Sequence, residues 1–380
     1  MARCIQSNNV WYRGRLQPAW LVVEDGKIVQ IGEGTRKRAD ADYGDLLVLP
    51  GFIDAHTHGN NGVSTETADE REMERWQREI AAEGVTSFAA TTASFPFEEN
   101  VAIFGRLASC VGRDEGDVPG AEVLGIYVEG NFIDPDHRGA QDIEAIVEPS
   151  IEVLQRYIEA SRGTIIRMVL AIEHDRDLAV LDYARSQGIG VSVGHSAATY
   201  AEVLDACCHG LDGVTHTYNG MSPMHHREPG IVGAALDIRQ LYAEIIADGH
   251  HVSWPAVRLL GRMKGIDRLV LVSDASPLKG FDGALPSGIH IDEEGQFRTD
   301  SGALASSSMR MCDGVRNLML RAGLPFADAV CAATINPARL LGCEARKGSL
   351  EVGKDADIVV LDHTFNVVQT LCRGRAMLIE

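Results

Sequence analysis

Six residues that can bind a metal ion or move a proton are spread along the chain at similar positions relative to apolar runs. His56 and His58, in the segment DAHTHG, are one residue apart, so in a strand both imidazoles point the same way. That spacing suits a metal site, although two such histidines on a strand are as often core or surface residues. The other four each follow an apolar run; they are Glu129 in IYVEGNF, His195 in VSVGHSAAT, His216 in VTHTYNG and Asp274 in VLVSDAS. Imidazoles and carboxylates together predict a centre for one or two divalent first-row metal ions.

Each of these residues also has an ordinary interpretation when taken alone. Glu129 could be a solvated carboxylate in a turn, and His216 could be a hydrogen-bonded core histidine. His195 could belong to a capping loop, with Ser196 or Thr199 as the helix cap. Their joint occurrence at the ends of successive apolar runs favours the metal centre.

Asp274 follows the strongly apolar run LVLV, where an unpaired carboxylate would be costly to bury. Beside a metal-activated water it could accept a proton and return it to a leaving amine. The alternative is an Asp that caps the following loop. We expect Asp274 to be the catalytic acid and base.

Three loop-like segments could bind a ligand. Residues 219–230, NGMSPMHHREPG, carry a local cationic cluster whose Arg227 suits a carboxylate or phosphate, or could pair with Glu228. Residues 248–251, DGHH, end another apolar run. Residues 303–308, ALASSS, are small enough to let backbone N–H groups approach a ligand before a helix starts.

The elements that must position these residues alternate between β-rich runs and helical periodicity. The β-rich runs are 52–58, 87–92, 122–130, 167–172, 188–196, 213–220, 242–249 and 268–275. Helical patterns occur at 68–84, where Met73, Trp76 and Ile80 share a face, and at 198–209, 253–264 and 303–342, with Pro325 near a helix start and Pro337 at a break or kink. Eight such runs predict a (β/α)₈ TIM-like barrel, in which all six residues meet at the carboxyl ends of the strands. An open doubly wound sheet fits less well, because no Gly-rich phosphate turn follows the first run.

The two ends of the chain have a different texture. Residues 19–32 alternate around Asp25-Gly26, a hairpin signal, and residues 348–362 place a Gly-Lys-Asp turn between short β-rich runs, a style that continues over 365–379. We expect a small β-sandwich domain from residues 1–50 plus 345–380 and a hydrolase barrel from residues 51–344.

Composition limits the class of partner. The 380 residues include 35 Lys and Arg against 54 Asp and Glu, a net charge of −19, which disfavours nucleic acid. No run is long and apolar enough for a membrane helix, and the N-terminal residues lack a signal-peptide core. Eight scattered cysteines without a C-x-x-C pair indicate reduced thiols and a cytoplasmic protein.

With these residues in view, the sequence resembles the amidohydrolase superfamily, and within it the N-acetylglucosamine-6-phosphate deacetylases. The resemblance covers nearly the whole chain. It is carried by PGFIDAHTHG at 50–59, EGNFIDPDHRGAQ at 129–141, GHSAAT at 194–199, THTYNGMSPMHHREPGIVGAAL at 215–236, IADGHHV at 246–252, SDAS at 273–276, LASS at 304–307, and NPARLLG with KGSLEVGKDADIVVLD at 336–362.

The resemblance implies a role for each matching residue. Glu129, His195 and His216 would hold the principal metal, and His56 with His58 would leave a second ion open, with zinc expected first and iron, cobalt or manganese as alternatives. Asp274 would be the acid and base. The residues implied for the sugar-phosphate pocket are Ala140, Gln141, Asn219, Gly220, His226, Arg227, His250, His251, Leu304, Ala305 and Ser306. Arg227 would reach the phosphate bound by a neighbouring subunit, which implies a homodimer.

The implied activity is hydrolysis of the acetamide of N-acetylglucosamine 6-phosphate to glucosamine 6-phosphate and acetate. The sequence departs from the family at YVEGNF for HLEGPF, at Asn219-Gly220 for Asn-Ala, and at Gln141 for a histidine that faces the acetamide oxygen. Gln141 can donate an N–H but cannot carry a proton, so another N-acetylated amino sugar or another amide is the alternative substrate. A sugar-phosphate-binding protein without catalysis is the third hypothesis, and the full set of metal and acid–base residues disfavours it.

Overall fold

The fold is described by a computed structural model for residues 2–112, 120–294, 296–300 and 302–377. The strands, in chain order, are β1 (Arg3–Tyr12), β2 (Arg15–Glu24), β3 (Lys27–Glu33), β4 (Ala41–Asp42), β5 (Leu47–Pro50), β6 (Phe52–Thr57), β7 (Gly59–Asn60), β8 (Val63–Ser64), β9 (Val85–Thr92), β10 (Glu122–Val128), β11 (Ile165–Leu170), β12 (Gly190–Val193), β13 (Gly213–Val214), β14 (Tyr242–Ile245), β15 (Leu269–Leu271), β16 (Ile289–Ile291), β17 (Phe297–Thr299), β18 (Ile358–Leu361), β19 (Val367–Cys372) and β20 (Arg375–Ala376). The α-helices are α1 (Glu70–Ala81), α2 (Phe97–Ala108), α3 (Ile151–Ala160), α4 (Ala179–Ser186), α5 (Tyr200–Cys208), α6 (Gly230–Asp237), α7 (Trp254–Arg268), α8 (Met311–Leu320), α9 (Phe326–Ala333) and α10 (Ile335–Leu340). Short 3₁₀ turns cover Pro135–His137, Ile143–Ala145, Ile172–His174 and Arg176–Leu178.

In the described part of the chain, eight parallel strands form a barrel wall in the order β6, β9, β10, β11, β12, β13, β14, β15. Each of the eight predicted runs overlaps one of these strands, so the predicted (β/α)₈ barrel is confirmed. β6 and β9 are buried along their whole length, as parallel strands covered on both faces must be. The N–H of Asp274 donates to the carbonyl of His56 at 2.9 Å and so joins the end of the last strand to the end of the first.

The barrel helices bury the face that the sequence pattern predicts. On α1, Met73, Trp76 and Ile80 are buried against the wall. The helix begins where Asp69 accepts backbone N–H bonds and Glu72 returns a side-chain bond to the cap, which satisfies donors that would otherwise lack partners. No α-helix in the described residues is both long and apolar enough to cross a membrane.

The stretch 303–342 is less continuously helical than predicted. The loop 303–308 does not lead directly into a helix, since α8 begins only at Met311. Pro325 immediately precedes α9, as predicted. The break before α10 falls at Thr334 (φ −131°, ψ −85°), which places Pro337 in the first turn of a new helix, where its missing N–H is not needed.

Strands from both chain ends form one sheet, in the order β20, β19, β18, β5, β1, β2, β3, with β4 paired to β1. The hairpin predicted at Asp25-Gly26 is confirmed, because both turn residues have positive φ (47° and 77°) between β2 and β3. The run 348–352 is not a strand, contrary to prediction; the chain there turns along the hairpin, with the N–H of Ile28 donating to the carbonyl of Lys354 at 2.9 Å. Residues 378–380, at the end of the predicted β domain, lie outside the described residues.

A buried ionic network connects the terminal segment to the amino end of β10. Glu122, the first residue of that strand, lies 2.9 Å from the ammonium of Lys347 and 3.4 Å from the guanidinium of Arg373. Lys347 also contacts Asp357 at 2.6 Å. Burial would raise the pKa of Glu122, but Arg346 and Lys347 outweigh it and lower the pKa to about 2.

This network predicts a pH-dependent loss of stability in Glu122→Gln. Because the folded-state pKa of Glu122 is depressed, its contribution is present above the unfolded-state value and is lost as the pH falls through about 2. At pH 7 the variant should lose roughly 3 kcal/mol of unfolding free energy, and the gap from wild type should narrow as the pH falls below about 4.5. Urea unfolding across this range measures the gap.

Glu33→Gln is the matched control, because Glu33 pairs with Arg13 at 3.2 Å in an exposed position. It should cost less than about 1 kcal/mol at any pH. A deficit in Glu122→Gln that stays constant from pH 7 to pH 3 would contradict the assignment.

Candidate metal centre and active site

The six predicted residues meet at the carboxyl end of the barrel. His56 lies on β6 and His58 directly after it, while Glu129 follows β10. His195, His216 and Asp274 follow β12, β13 and β15 within three residues. All three have positive φ (45°, 20° and 47°), a conformation that residues other than Gly rarely adopt. The chain therefore turns sharply out of each strand and directs these side chains over the barrel mouth, and such strain is typical of functional sites.

One group of ligand atoms is formed by Glu129, His195 and His216. The Oε1 atom of Glu129 lies 3.2 Å from Nε2 of His195 and 2.8 Å from Nε2 of His216. The two imidazole nitrogens are 3.0 Å apart. Nδ1 of His195 lies 2.7 Å from the carbonyl oxygen of His137, which sets the orientation of the ring.

A second group is formed by His56, His58 and Asp274. Nε2 of His56 and Nε2 of His58 are 3.3 Å apart and lie 3.5 Å and 3.4 Å from Oδ1 of Asp274. Glu129 also belongs to this side of the site, since its Oε2 atom lies 3.2 Å from Nε2 of His58. Glu129 therefore contacts both groups, with Oε2 facing His58 and Oε1 facing His195 and His216 and lying 3.5 Å from Nε2 of His56.

The donor set fits divalent metal ions. Nε2 of His195 and Nε2 of His216 are 3.0 Å apart, and both lie near the Glu129 carboxylate. Two nitrogen lone pairs at this distance repel each other unless a proton or a metal cation lies between them. Nitrogen and oxygen donors of this kind suit zinc and other first-row ions. Each of the two groups could thus hold one ion.

The electrostatics of the site agree with this chemistry. Burial would lower the pKa of His58, but its hydrogen bonds with Asp274 and Glu129 raise it to about 9. Burial would raise the pKa of Glu129, yet the charge of His56 and the hydrogen bonds from His195 and His216 hold it well below its usual range. The pKa of Asp274 is likewise lowered, by His56 and His58 against the effect of burial. Ionised carboxylates that favour cationic neighbours create the negative potential that a divalent cation needs.

Both groups open into a cavity of about 440 Å³. Of the predicted substrate-binding residues, the cavity wall includes Ala140, Gln141, Asn219, Gly220, His251, Leu304, Ala305 and Ser306. His226 and Arg227 lie in an exposed loop outside this wall, with Arg227 Nη1 2.8 Å from His226 Nε2. His250 also lies outside it and faces Glu294 at 3.3 Å. The fold thus brings together most of the predicted pocket and leaves the cationic loop apart.

Gln141 is held in one orientation. Its Oε1 atom accepts hydrogen bonds from the N–H and the hydroxyl of Ser94, at 2.8 Å and 2.5 Å. Its amide nitrogen therefore faces the cavity and lies 3.3 Å from Oε2 of Glu129. The side chain offers a fixed N–H donor beside the metal groups.

Comparison with known proteins places the chain in a family. The sequence profile of the amidohydrolase family matches residues 47–377, a span that includes every residue of both metal groups. The chain belongs to the amidohydrolase family. The histidines and carboxylates at the barrel mouth are therefore part of an amidohydrolase barrel.

Similar amidohydrolases are known from sequence and structure. The N-acetylglucosamine-6-phosphate deacetylase of Vibrio furnissii is 34% identical over 98% of this chain and 94% of its own length. The N-acetylgalactosamine-6-phosphate deacetylase of Escherichia coli O157:H7 is 37% identical over 87% of each. The structure of a mutant N-acetyl-D-glucosamine-6-phosphate deacetylase from Mycobacterium smegmatis, in complex with N-acetyl-D-glucosamine-6-phosphate, matches with a TM-score of 0.92 at 29% identity, covering 99% of both chains.

The sequence analysis missed two carboxylates of this amidohydrolase. Glu66 lines the cavity next to His58, but it lies in a loop of ordinary polar composition that carries no signal. Glu244 lies inside the barrel on β14 and contacts His56. A charged residue within the apolar run YAEII was a usable signal, because a carboxylate in a fully buried strand must have partners.

The position of Glu129 between the two groups predicts that Glu129→Ala loses both metal ions. After chelation, reloading with Zn²⁺ and dialysis, wild type should retain two equivalents per chain and the variant close to none. Elemental analysis measures the content, and the thermal midpoint should rise with metal in wild type only.

Glu66→Gln serves as the control, since it alters a carboxylate of the same cavity outside both groups. It should retain two equivalents. Retention of both ions by Glu129→Ala would show that the carboxylate is not a shared ligand.

Proposed function

We propose that this amidohydrolase removes the acetyl group of N-acetylglucosamine 6-phosphate, giving glucosamine 6-phosphate and acetate. The observation that carries the proposal is the convergence of Glu129, His195, His216 and Asp274 on one cavity, within a chain that matches deacetylases over nearly its full length. Hydrolysis of an amide needs a polarised carbonyl, an activated water and a proton for the leaving nitrogen. The cavity has residues suited to each requirement.

A divalent ion held by Glu129, His195 and His216 would polarise the acetamide carbonyl and lower the pKa of a water molecule. Asp274 is suited to the proton transfers, because its carboxylate lines the cavity beside the metal groups and can accept a proton from the attacking water. The water oxygen bonds to the carbonyl carbon, the C–N bond breaks, and Asp274 delivers the proton to the departing nitrogen. The carboxylate ends the reaction ionised, as it began.

Gln141 is suited to orient the substrate. Ser94 occupies the oxygen of its amide, so only the NH₂ end can face a ligand in the cavity. That group would donate a hydrogen bond to the acetamide oxygen and stabilise the negative charge that develops there. Such a donor cannot titrate, so it contributes equally across the pH range of the enzyme.

The phosphate is proposed to be bound with help from a second subunit. Among the described residues that line the cavity there is no Lys or Arg, and the chain has a net charge of −19. A phosphate needs compensating cations. The exposed loop 223–228 has Arg227 beside His226, and in a homodimer Arg227 could reach the cavity of the other subunit.

Zinc is the proposed metal, with iron, cobalt or manganese as alternatives, since the donors are imidazole and carboxylate groups. The cytoplasm is the proposed compartment. The eight cysteines, all in the described residues, are free, which suits a reducing environment.

A second candidate substrate is N-acetylgalactosamine 6-phosphate. It is favoured by the 37% identity, over 87% of this chain, to the Escherichia coli deacetylase of that sugar phosphate. The two sugars differ only in the configuration of one hydroxyl group, so the metal groups and Asp274 would serve both.

The proton-transfer role predicts that Asp274→Asn lowers kcat by about 10²- to 10⁴-fold, because the amide cannot accept the proton of water. The Glu129, His195 and His216 group should still hold its ion. Acetate release and elemental analysis on the same preparation measure the two effects. Near-native turnover by the variant would exclude Asp274 as the acid and base.

Substrate choice is tested by acetate release from N-acetylglucosamine 6-phosphate, its galactosamine isomer and unphosphorylated N-acetylglucosamine. We expect turnover of a phosphorylated sugar, and Arg227→Ala should raise KM by about 10-fold or more for it while leaving the unphosphorylated sugar unaffected. Mixing Arg227→Ala with Asp274→Asn subunits should restore activity if Arg227 acts across a dimer, because one of the two mixed sites is then intact.

If the metal-loaded protein releases no acetate from any of the three sugars, its substrate is another amide. An equal effect of Arg227→Ala on phosphorylated and unphosphorylated sugars would exclude its phosphate role. Glu228→Gln, in the same exposed loop, is the control and should leave KM unchanged.

A further inference from the structure

Glu244 is a carboxylate inside the barrel that the proposed reaction does not use. It lies on β14 and is 1% exposed. An ionised carboxylate at such depth is unfavourable unless hydrogen bonds and opposite charges compensate it. The groups that contact the Glu244 carboxylate therefore indicate its role.

The partners of Glu244 come from three other strands or strand ends of the barrel, β6, β10 and β13. Oε2 lies 3.1 Å from Nδ1 of His56, 3.1 Å from the Thr215 hydroxyl and 3.3 Å from the N–H of His216. Oε1 accepts a hydrogen bond from the Tyr127 hydroxyl at 3.1 Å. Tyr127 and Thr215 also contact each other, with 2.5 Å between their oxygens. The contacts with Thr215, His216 and Tyr127 thus fix the Glu244 carboxylate independently of its contact with His56.

This contact decides what His56 can do. A carboxylate only accepts hydrogen bonds, so it requires the proton of the imidazole on Nδ1. The lone pair of Nε2 is then directed away from Glu244, toward His58 at 3.3 Å and Glu129 at 3.5 Å. Without Glu244, the Nδ1 proton would be buried without a partner and the ring would be free to adopt the other tautomer.

The geometry points to Glu244 as the positioning residue that makes His56 a metal ligand, and hence as the residue that enables the His56, His58 and Asp274 group to hold a second ion. The inference rests on the metal-dependent function proposed above. It concerns the second group, because in the first group Glu244 accepts only the backbone N–H of His216 at 3.3 Å and contacts no imidazole ring, while the His195 ring has its own support, the hydrogen bond to the His137 carbonyl.

The test is a Zn²⁺ titration of the chelated full-length protein, with free metal set by a competing chelator. Wild type should bind two equivalents. Glu244→Ala should bind the first as wild type does and the second about 10- to 100-fold more weakly, the range found for loss of such supporting partners. Glu244→Gln, which keeps an acceptor oxygen of the same size, should recover most of the second affinity and secures the test if the alanine variant folds poorly.

Two comparisons separate positioning from a merely structural role. In a His56→Ala background, Glu244→Ala should cause no further loss of metal, because the two residues act as one unit. Tyr127→Phe removes a hydroxyl partner of Glu244 but leaves the carboxylate, so the second affinity should change by less than about 10-fold.

Equal weakening of both binding steps, unchanged binding of both ions, or a wild-type chain that takes only one equivalent would each overturn the inference. The outcome is independent of the proposed substrate. Two-step metal binding with no acetate release would refute the deacetylase proposal and leave the role of Glu244 standing. Acetate release by a wild-type chain that binds only one ion would support the deacetylase proposal and refute the role of Glu244.

Discussion

The site depends on the contacts of one carboxylate, that of Glu129, with the histidines of both metal groups. Its Oε1 atom lies 2.8–3.2 Å from Nε2 of His195 and His216 and 3.5 Å from Nε2 of His56, and its Oε2 atom lies 3.2 Å from Nε2 of His58, so one carboxylate contacts both histidine groups. A single side chain can do this only if strands from opposite sides of the barrel end at the same height. The parallel order of the eight strands, joined from Asp274 to His56 by a backbone hydrogen bond, satisfies that condition. The barrel is therefore the framework that places side chains from four other strand ends, those of β6, β12, β13 and β15, around the carboxylate at the end of β10.

The two ends of β10 separate function from stability. At its carboxyl end lies Glu129, near residues whose positive φ angles and crowded donors are unfavourable for folding. At its amino end lies Glu122, fully compensated by Lys347, Arg346 and Arg373, which connects the barrel to the chain terminus. Conformational strain at the mouth is thus offset by burial and ion pairing at the base, as the division of roles in such barrels leads one to expect.

Much of the architecture could be predicted because apolar runs mark buried parallel strands, and the six ligand candidates stand where those runs stop. The sequence predicts strands that extend further toward the carboxyl end than they do. The run 213–220, for example, contains a strand of only Gly213–Val214, because the chain already turns into the site at His216. Sequence could suggest an N–H donor at Gln141 but not its orientation, which depends on Ser94, 47 positions away. Glu66 reaches the cavity only through the path of its loop, a tertiary property with no local pattern. The loop that carries Arg227 lies outside the cavity of its own chain, and a single sequence does not contain the geometry of a second copy.

The interior of the barrel shows how so many carboxylates can share one site. Below Glu129 and His56 lies Glu244, and below Glu244 lies Arg167, a fully buried cation whose guanidinium contacts Asp212 at 2.5 Å and the carbonyl of Leu340 at 3.2 Å. Each buried charge below the mouth therefore has partners: Glu244 has the hydroxyls of Tyr127 and Thr215 and the imidazole of His56, and Arg167 has Asp212 and the carbonyl of Leu340. The arrangement needs Gly190 and Gly213 beside the guanidinium, because a Cβ at either position would lie within 2.4 Å of its nitrogens. It also needs α10 to begin after the break at Thr334, so that the carbonyl of Leu340 reaches Arg167 from below. Hydrogen bonds thus connect His56 at the mouth to Glu244 in the interior, and Arg167 in the interior to α10 at the base.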